Sequence, residues 1–271
     1  MNKGLKFLII AIFIISGLSF CVSAARRIDE ISRLFRMNDE EAAFAAAAAD
    51  TAAAGDETRL NMGEMEFRAI EAWGSAVVTV RSRTDANRDV ILHVDEKLAE
   101  HVDLKVVKGV LYIGLKSKNR NDVNLRMGQR LFVSAPHCDG LCRLSASGAA
   151  RIEAESPLQA DKVEIEASGA SKVTAEVDCT KCVAEASGAS KVTIAGRCAD
   201  LTAEASGASG IDAEECESGR CYAEASGASS VTVWCTDLLK AEASGASKVL
   251  YKGDCTCKKG TFGASRVRRI Q

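Results

Sequence analysis

Aromatic residues and prolines are scarce in this sequence. Phe, Trp and Tyr make up 5% of the 271 residues, and the only two prolines are Pro136 and Pro157. Conventional globular cores draw much of their buried area from aromatic side chains, and many sugar-binding platforms use aromatic faces. The apolar residues here are mainly Ala, Val, Ile, Leu and Cys, which favours closely spaced layers of small side chains.

The sequence also lacks an excess of charge of either sign. Its formal net charge is −2, from 35 Lys and Arg against 37 Asp and Glu. Because nucleic-acid binding depends on a concentration of basic residues, the composition gives no electrostatic argument for a nucleic-acid partner.

The apolar run near the N-terminus is too short for a comfortable membrane span of about 20 residues. Two lysines precede this run, which covers residues 7–15, and small residues follow it up to Ala24. This order predicts a secretory signal peptide over residues 1–24, and hence a location in the periplasm, the outer membrane or at the cell surface. Two processing outcomes remain open. One is cleavage after Ala24, and the other is lipidation of Cys21, although the bulky Phe20 precedes that cysteine.

The remaining chain divides into three parts by composition. Residues 25–57 are Ala-rich and predict a partly helical tether. Residues 58–145 contain short β-branched runs between polar turns and predict a β-rich lead-in. The dipeptide Lys108-Gly109 lies between two apolar runs, as in a tight hairpin. Residues 146–271 are built from an internal repeat.

The repeat is centred on Ser-Gly-Ala. Successive glycines are 21, 19, 19, 20, 18 and 18 residues apart. A glycine in every copy predicts a bend with positive φ, or a position where a Cβ would clash. The predicted turn glycines are Gly148, Gly169, Gly188, Gly207, Gly227, Gly245 and Gly263.

Apolar residues alternate with polar ones on both sides of each glycine, which is typical of strands with one buried face. One repeat cannot bury so thin a face alone, so neighbouring repeats must stack on it. The sequence therefore predicts an all-β fold, a right-handed single-stranded parallel β-helix (solenoid) of six to seven coils. In it, both serines of each Ser-Gly-Ala-Ser bend belong to outward hydroxyl ladders.

Charged residues flank the bend in two columns, and these are the candidate binding face. A glutamate stands two positions before the first serine, and a basic residue often stands one position after the second serine. Simple solubility of the coil is the alternative interpretation of both columns. The columns consist of Glu166, Glu185, Glu204, Glu224 and Glu242, and of Lys172, Lys191 and Lys248.

Ten of the eleven cysteines lie beyond the predicted signal peptide. In an exported chain an even number suggests disulfides. Stacked coils would bring Cys179 within reach of Cys198, and Cys216 within reach of Cys221. Reduced apolar packing is an equal candidate for the inward-facing cysteines, and no second pair supports a zinc site.

Catalysis has no candidate residues in this pattern. Hydrolases and lyases of polysaccharides need unlike neighbours, such as two carboxylates in different environments. The carboxylates here form a uniform ladder. The sequence therefore predicts a protein that is not an enzyme and has no cofactor and no metal.

The repeated Ala-Ser-Gly-Ala-Ser-Lys-Val copies, the run at residues 109–113 and the Val-Ser-Ala-Pro at residues 133–136 resemble one known family. It is the putative auto-transporter adhesin, head GIN domain family, and the resemblance covers about residues 65–271. The resemblance implies a right-handed β-helix exported by Bacteroidetes-type bacteria, with no catalytic residues to transfer. The high cysteine content departs from the family's usual pattern.

Three functions follow as hypotheses. The first is a cell-surface or periplasmic adhesion or binding module, with a glycan or an envelope protein as partner. The second is an envelope assembly or regulatory partner that docks through the tether. The third is a polysaccharide-acting β-helix enzyme. Contact with a membrane is expected only through the signal or a lipid anchor, and the oligomeric state stays open.

Overall fold

A computed structural model of the chain describes residues 57–82, 88–116 and 131–270. The predicted signal peptide, Cys21 and the predicted tether up to residue 56 lie outside the described residues. Within the described ranges, no helix has the length and apolarity needed to cross a membrane.

Parallel strands form the repeat region, and each long strand runs from one Ser-Gly-Ala corner to the next. Residues that are equivalent in the repeat pair directly, as Val173 does with Val192 and Ala184 with Ala203. The structure is a β-solenoid of about seven turns, which confirms the predicted parallel β-helix. The right-handed sense stays a prediction that agrees with the general rule for parallel crossovers. The strands are β10 (Leu158–Ala167), β11 (Lys172–Ala186), β12 (Lys191–Ala205), β13 (Gly210–Ala225), β14 (Ser230–Gly245), β15 (Lys248–Lys252), β16 (Thr256–Gly263) and β17 (Arg266–Arg269).

The core of the solenoid consists of the apolar columns read from the sequence. Burial alternates along the strands, because successive side chains point to opposite faces. Val163, Cys182 and Leu201 follow one another in one column, and all three are buried. Since equivalent residues on neighbouring strands are about 4.8 Å apart, each layer covers the next with a side chain of similar size.

The lead-in region is part of the same stack. Strands β2 (Ala69–Ala72) and β3 (Ala76–Arg81) pair in parallel with β8 (Arg143–Ala146) and β9 (Arg151–Ala154), respectively. On their outer side, β2 and β3 pair in parallel with β6 (Val110–Leu115) and β7 (Leu131–Pro136). Trp73-Gly74-Ser75 therefore lies in register with the first Ser-Gly-Ala copy. The lead-in strands are β1 (Glu57–Glu64), β2 (Ala69–Ala72), β3 (Ala76–Arg81), β4 (Asp89–Asp95), β5 (Val102–Val107), β6 (Val110–Leu115), β7 (Leu131–Pro136), β8 (Arg143–Ala146) and β9 (Arg151–Ala154), with one helical turn, α1 (Glu96–Ala99).

Antiparallel strands cover the N-terminal end of the stack. Strand β5 pairs with β6, and β4 pairs with β7, both in antiparallel orientation. Lys108 and Gly109 connect β5 to β6 with φ values of 52° and 77°, which confirms the predicted hairpin. A solenoid needs such terminal elements, because its last coil otherwise exposes unpaired backbone and apolar side chains.

Candidate functional site

The Ser-Gly-Ala corners are stacked in a straight row. Each turn glycine of the repeat has a φ between 71° and 79°, a region that side chains with a Cβ rarely adopt. A Cβ on Gly188 would lie 2.8 Å from the carbonyl oxygen of Gly169 in the preceding coil. The Ala189 amide donates to that same oxygen at 2.7 Å. The corner thus requires glycine for its conformation and for the close approach of the next coil.

The second serine of each corner is buried, which corrects the expectation of an outward hydroxyl ladder at this column. These serines are 1–4% exposed from Ser171 to Ser247. Each hydroxyl donates to the carbonyl of the alanine that precedes the first serine in the coil before, as Ser190 does to Ala167 at 3.0 Å. The Ser187 amide donates to the same carbonyl at 2.9 Å. The hydroxyls therefore join successive corners from inside.

The first serines and the glutamate column line a shallow groove along the stack. The groove has a volume of about 270 Å³ and crosses several successive coils. The glutamates and first serines project to the same side, because they are two positions apart on a strand. We name this surface the glutamate groove; its polar lining residues are Ser145, Glu166, Ser168, Glu185, Ser187, Glu204, Ser206, Glu224 and Ser226.

At one end of the groove, Glu166 has cationic and hydroxyl partners. The Arg143 guanidinium donates to both oxygens of Glu166, each at 3.0 Å, and the Ser145 hydroxyl donates at 3.3 Å. This hydrogen bond to Glu166 raises the pKa of Arg143. Arg143 was not predicted from the sequence because it precedes the first complete copy of the repeat.

Towards the other end, the carboxylates again have partners. The Tyr222 hydroxyl donates to Glu224 at 2.7 Å, and this hydrogen bond raises the pKa of the tyrosine. Lys240 lies 2.8 Å from Glu242 and 4.9 Å from the centre of the Tyr222 ring. Tyr222 and Lys240 could have been found from the sequence, because each stands two positions before a column glutamate and so shares its face.

Glu185 and Glu204, in the middle of the groove, have no hydrogen-bond or ion-pair partner among the described residues. Burial raises the pKa of Glu204, and the neighbouring carboxylates Glu224 and Glu185 raise it further. The centre of the groove therefore presents two adjacent carboxylates, each beside a serine hydroxyl, that remain available to a ligand.

The basic column does not line this groove. Lys172, Lys191 and Lys248 follow the corner on the strands β11, β12 and β15, whereas the glutamates precede it. The structure thus places the two predicted halves of the binding face on separate sides of the corner. Of the two columns, only the glutamates line the groove.

The ten described cysteines are thiols in this structure. Cys179 and Cys198 are register partners, as the predicted bridge between them requires. The sulfur atoms of Cys198 and Cys216 lie 3.9 Å apart. Cys221 instead contacts the Ser218 hydroxyl at 2.9 Å. The predicted disulfides stay predictions, and the close contact of Cys198 with Cys216 adds a pair that the sequence spacing did not indicate.

Cys179 belongs to a cluster of thiols that also contains Cys182, Cys198 and Cys216. Thiol donors from Cys182 and Cys198 lower the pKa of the half-buried Cys179. In the described ranges, no three His, Cys, Asp or Glu side chains are arranged to hold a metal ion. The cluster therefore provides one thiol of raised acidity beside buried neighbours.

Comparisons with solved structures show the fold. A putative adhesin from Bacteroides fragilis is 19% identical, with a TM-score of 0.69. A putative lipid binding protein from Parabacteroides distasonis is 18% identical, with a TM-score of 0.61, and a putative adhesin from Parabacteroides merdae is 21% identical, with a TM-score of 0.55. Each match covers 80% of this chain and 98% of the other chain.

Curated proteins offer no significant match. A family model, in contrast, matches residues 66–255, which include the lead-in strands from β2 onward, the corners up to Gly245 and the glutamate groove. The match covers well over half of the chain and confirms the resemblance seen in the repeated corner motif. The chain belongs to the putative auto-transporter adhesin, head GIN domain family.

Proposed function

We propose that this protein is an exported, non-catalytic β-helix protein that acts as an adhesion or binding module at the cell surface or in the periplasm. The glutamate groove is its binding face. The observation that carries this proposal is the pair Glu185 and Glu204, two carboxylates without partners in the middle of a groove whose other glutamates are paired.

The repeat geometry favours an extended ligand. Carboxylates and hydroxyls recur about every 4.8 Å along the groove, the distance between neighbouring strands. A ligand that lies along the stack therefore meets the same pair of groups at each coil. A glycan would offer hydroxyl donors to the carboxylates, and an envelope protein would offer amides or cationic side chains.

The groove chemistry supports binding rather than catalysis. Its carboxylates differ in their partners, but each lies on the same strand face at the same height relative to the corner. No described group stands opposite them across the groove to act on the other side of a scissile bond, as hydrolysis of a glycoside requires. Membership in a family of putative adhesins agrees with this interpretation.

The test is a binding measurement on matched charge variants. The double variant Glu185→Gln, Glu204→Gln removes the two central carboxylates. The control, Glu176→Gln with Glu217→Gln, removes two exposed carboxylates outside the groove. Exported wild-type protein and both variants are compared on a glycan array and on intact cells.

The groove variant is expected to lose binding at least tenfold, because each charged hydrogen bond contributes about 1.5–3 kcal/mol. The control is expected to bind like the wild type. Equal binding by the groove variant, or no binding by correctly exported wild-type protein, would contradict the proposal. Mass spectrometry of the mature N-terminus tests export separately, because it distinguishes an Ala25 terminus from a lipidated Cys21.

A further inference from the structure

The last coil of the sequence has charged residues at positions where the preceding coils have apolar ones. Lys259 takes the column position held by Ala241 in the preceding coil, and Arg269 takes the position of Tyr251. Ala241 is buried, whereas Lys259 and Arg269 are exposed. Charged residues at these positions do not extend the apolar core of the preceding coils, and they protect the edge of the sheet.

Residues 255–270 carry charge of a single sign. The residues after Asp254 include five cationic side chains and no acidic one, in a chain with 37 acidic residues. Arg269 is paired with Asp254. The other four have no ion-pair partner among the described residues; they are Lys258, Lys259, Arg266 and Arg268.

Neighbouring strands bring further cations to the same region. Lys258 is the register partner of Lys240, which is itself paired with Glu242, and Arg266 is the register partner of Lys248. Like charges on adjacent strands repel one another and destabilise a sheet. An anionic surface that contacts this end would offset the repulsion.

An exposed aromatic residue lies at the edge of this basic coil, where it lines a shallow depression together with Glu224 and Glu242. Phe262 is 81% exposed and occupies the column in which the preceding coil has Ser244. It shares one face of β16 with Lys258, because side chains four residues apart on a strand point to the same side. A charged cap explains neither the exposed phenylalanine nor the absence of carboxylates, since charges of either sign protect a sheet end.

We infer that the basic coil of residues 255–270 is a docking surface for an anionic lipid bilayer. Cations are attracted to lipid phosphates, and an adjacent aromatic side chain can enter the interface between headgroups and acyl chains. The phenylalanine favours a bilayer over a soluble polyanion, because only the bilayer offers an apolar layer beside its charges. This contact is additional to the predicted signal or lipid anchor.

The experiment measures co-sedimentation of the full chain with vesicles of phosphatidylcholine, with and without phosphatidylglycerol. We expect stronger binding to the anionic vesicles, and weaker binding at high salt, because the screening length falls from about 10 Å at 0.1 M to about 3 Å at 1 M. The triple variant Lys258→Gln, Arg266→Gln, Arg268→Gln is expected to weaken anionic binding roughly 100-fold, at about fivefold per cation. Phe262→Ser, which restores the residue of the repeat, is expected to weaken it about tenfold.

The matched control neutralises three cations on other coils, with Arg151→Gln, Lys181→Gln and Lys191→Gln. It changes the net charge equally and keeps the same N-terminal segment, so any binding through that segment cancels. Three results would overturn the inference. They are equal loss in both triple variants, binding to soluble dextran sulfate but not to anionic vesicles, and self-association of the variant with unchanged vesicle binding. The last result would mean that the cations only guard the sheet end.

Discussion

Replacement of two glycines, one at a corner and one outside the repeat, separates the two reasons for glycine at the corners, which are the backbone conformation and the close contact with the next coil. Gly188 and Gly140 have the same φ of 76°, but only Gly188 faces the backbone of another coil. A Cβ on Gly140 would meet nothing within 4 Å, whereas a Cβ on Gly188 would lie 2.8 Å from the Gly169 oxygen. Gly140→Ala therefore measures the conformational cost alone, and Gly188→Ala measures this cost together with the clash.

The expected free energies of unfolding differ accordingly. A residue with a Cβ in the left-handed region costs about 1–2 kcal/mol. Forcing an extra carbon against a packed neighbour costs about a further 1–3 kcal/mol. Gly140→Ala should therefore destabilise by about 1–2 kcal/mol, and Gly188→Ala by about 2–5 kcal/mol. The loss of freedom in the unfolded chain is common to both variants and cancels in their difference.

Equilibrium unfolding in urea, followed by circular dichroism, measures this difference. Thermal unfolding gives a second reading, with a shift of about 2–4 °C per kcal/mol in a domain of this size. If both variants lose the same stability, the contact between corners contributes nothing. The glycine column would then be explained by backbone conformation alone.

Three further predictions concern the corner, the groove and the thiols. Ser209→Ala should lower the free energy of unfolding by about 1 kcal/mol more than Ser206→Ala, because only the Ser209 hydroxyl is buried and bonded to the preceding coil; urea titrations of both variants check this. Because the pKa of Glu204 is raised in the folded state, the free energy of unfolding should fall as the pH rises through that pKa. Glu204→Gln should remove this part of the pH dependence. Urea unfolding of both proteins between about pH 3 and pH 8, the range in which carboxylates titrate, measures the difference. In the fully reduced protein, Cys179 should be alkylated by iodoacetamide before Cys198, since its pKa is lowered and it is half-buried rather than buried; peptide mapping that finds Cys198 modified first would refute this.

The sequence was sufficient to predict the solenoid, because its copies are nearly identical at the corners, where the backbones of successive coils are in close contact. It was not sufficient to place the coil containing Gly74. There the corner reads Trp-Gly-Ser, and only its glycine matches the repeat. Moreover, β6 and β7 stack outside β2 and β3 although they follow them in the chain. This order cannot be read from a repeat whose other coils stack in sequence.

The candidate site was predicted only in part. The glutamate column was visible in the sequence, but its division into paired and unpaired members depends on Arg143, Tyr222 and Lys240, which belong to no repeated column. The second serine column was misassigned, although each of these serines stands two positions before a buried Val or Ile, as Ser190 does before Val192, and therefore shares its face. The hydrogen bond of each hydroxyl reaches back to the preceding coil, and this contact exists only once the coils are stacked.

Because the coils stack one after another, the number of repeats sets the length of the solenoid. Every coil adds one strand spacing of about 4.8 Å, and each bonds only to the coils beside it. Gain or loss of one repeat, such as the 19 residues from Gly188 to the residue before Gly207, would move the basic end relative to the antiparallel cap by one such step. The number of repeats therefore sets the distance between the two ends. Duplication or deletion of one repeat in the gene can change the length of the groove while the sequences of both ends stay the same.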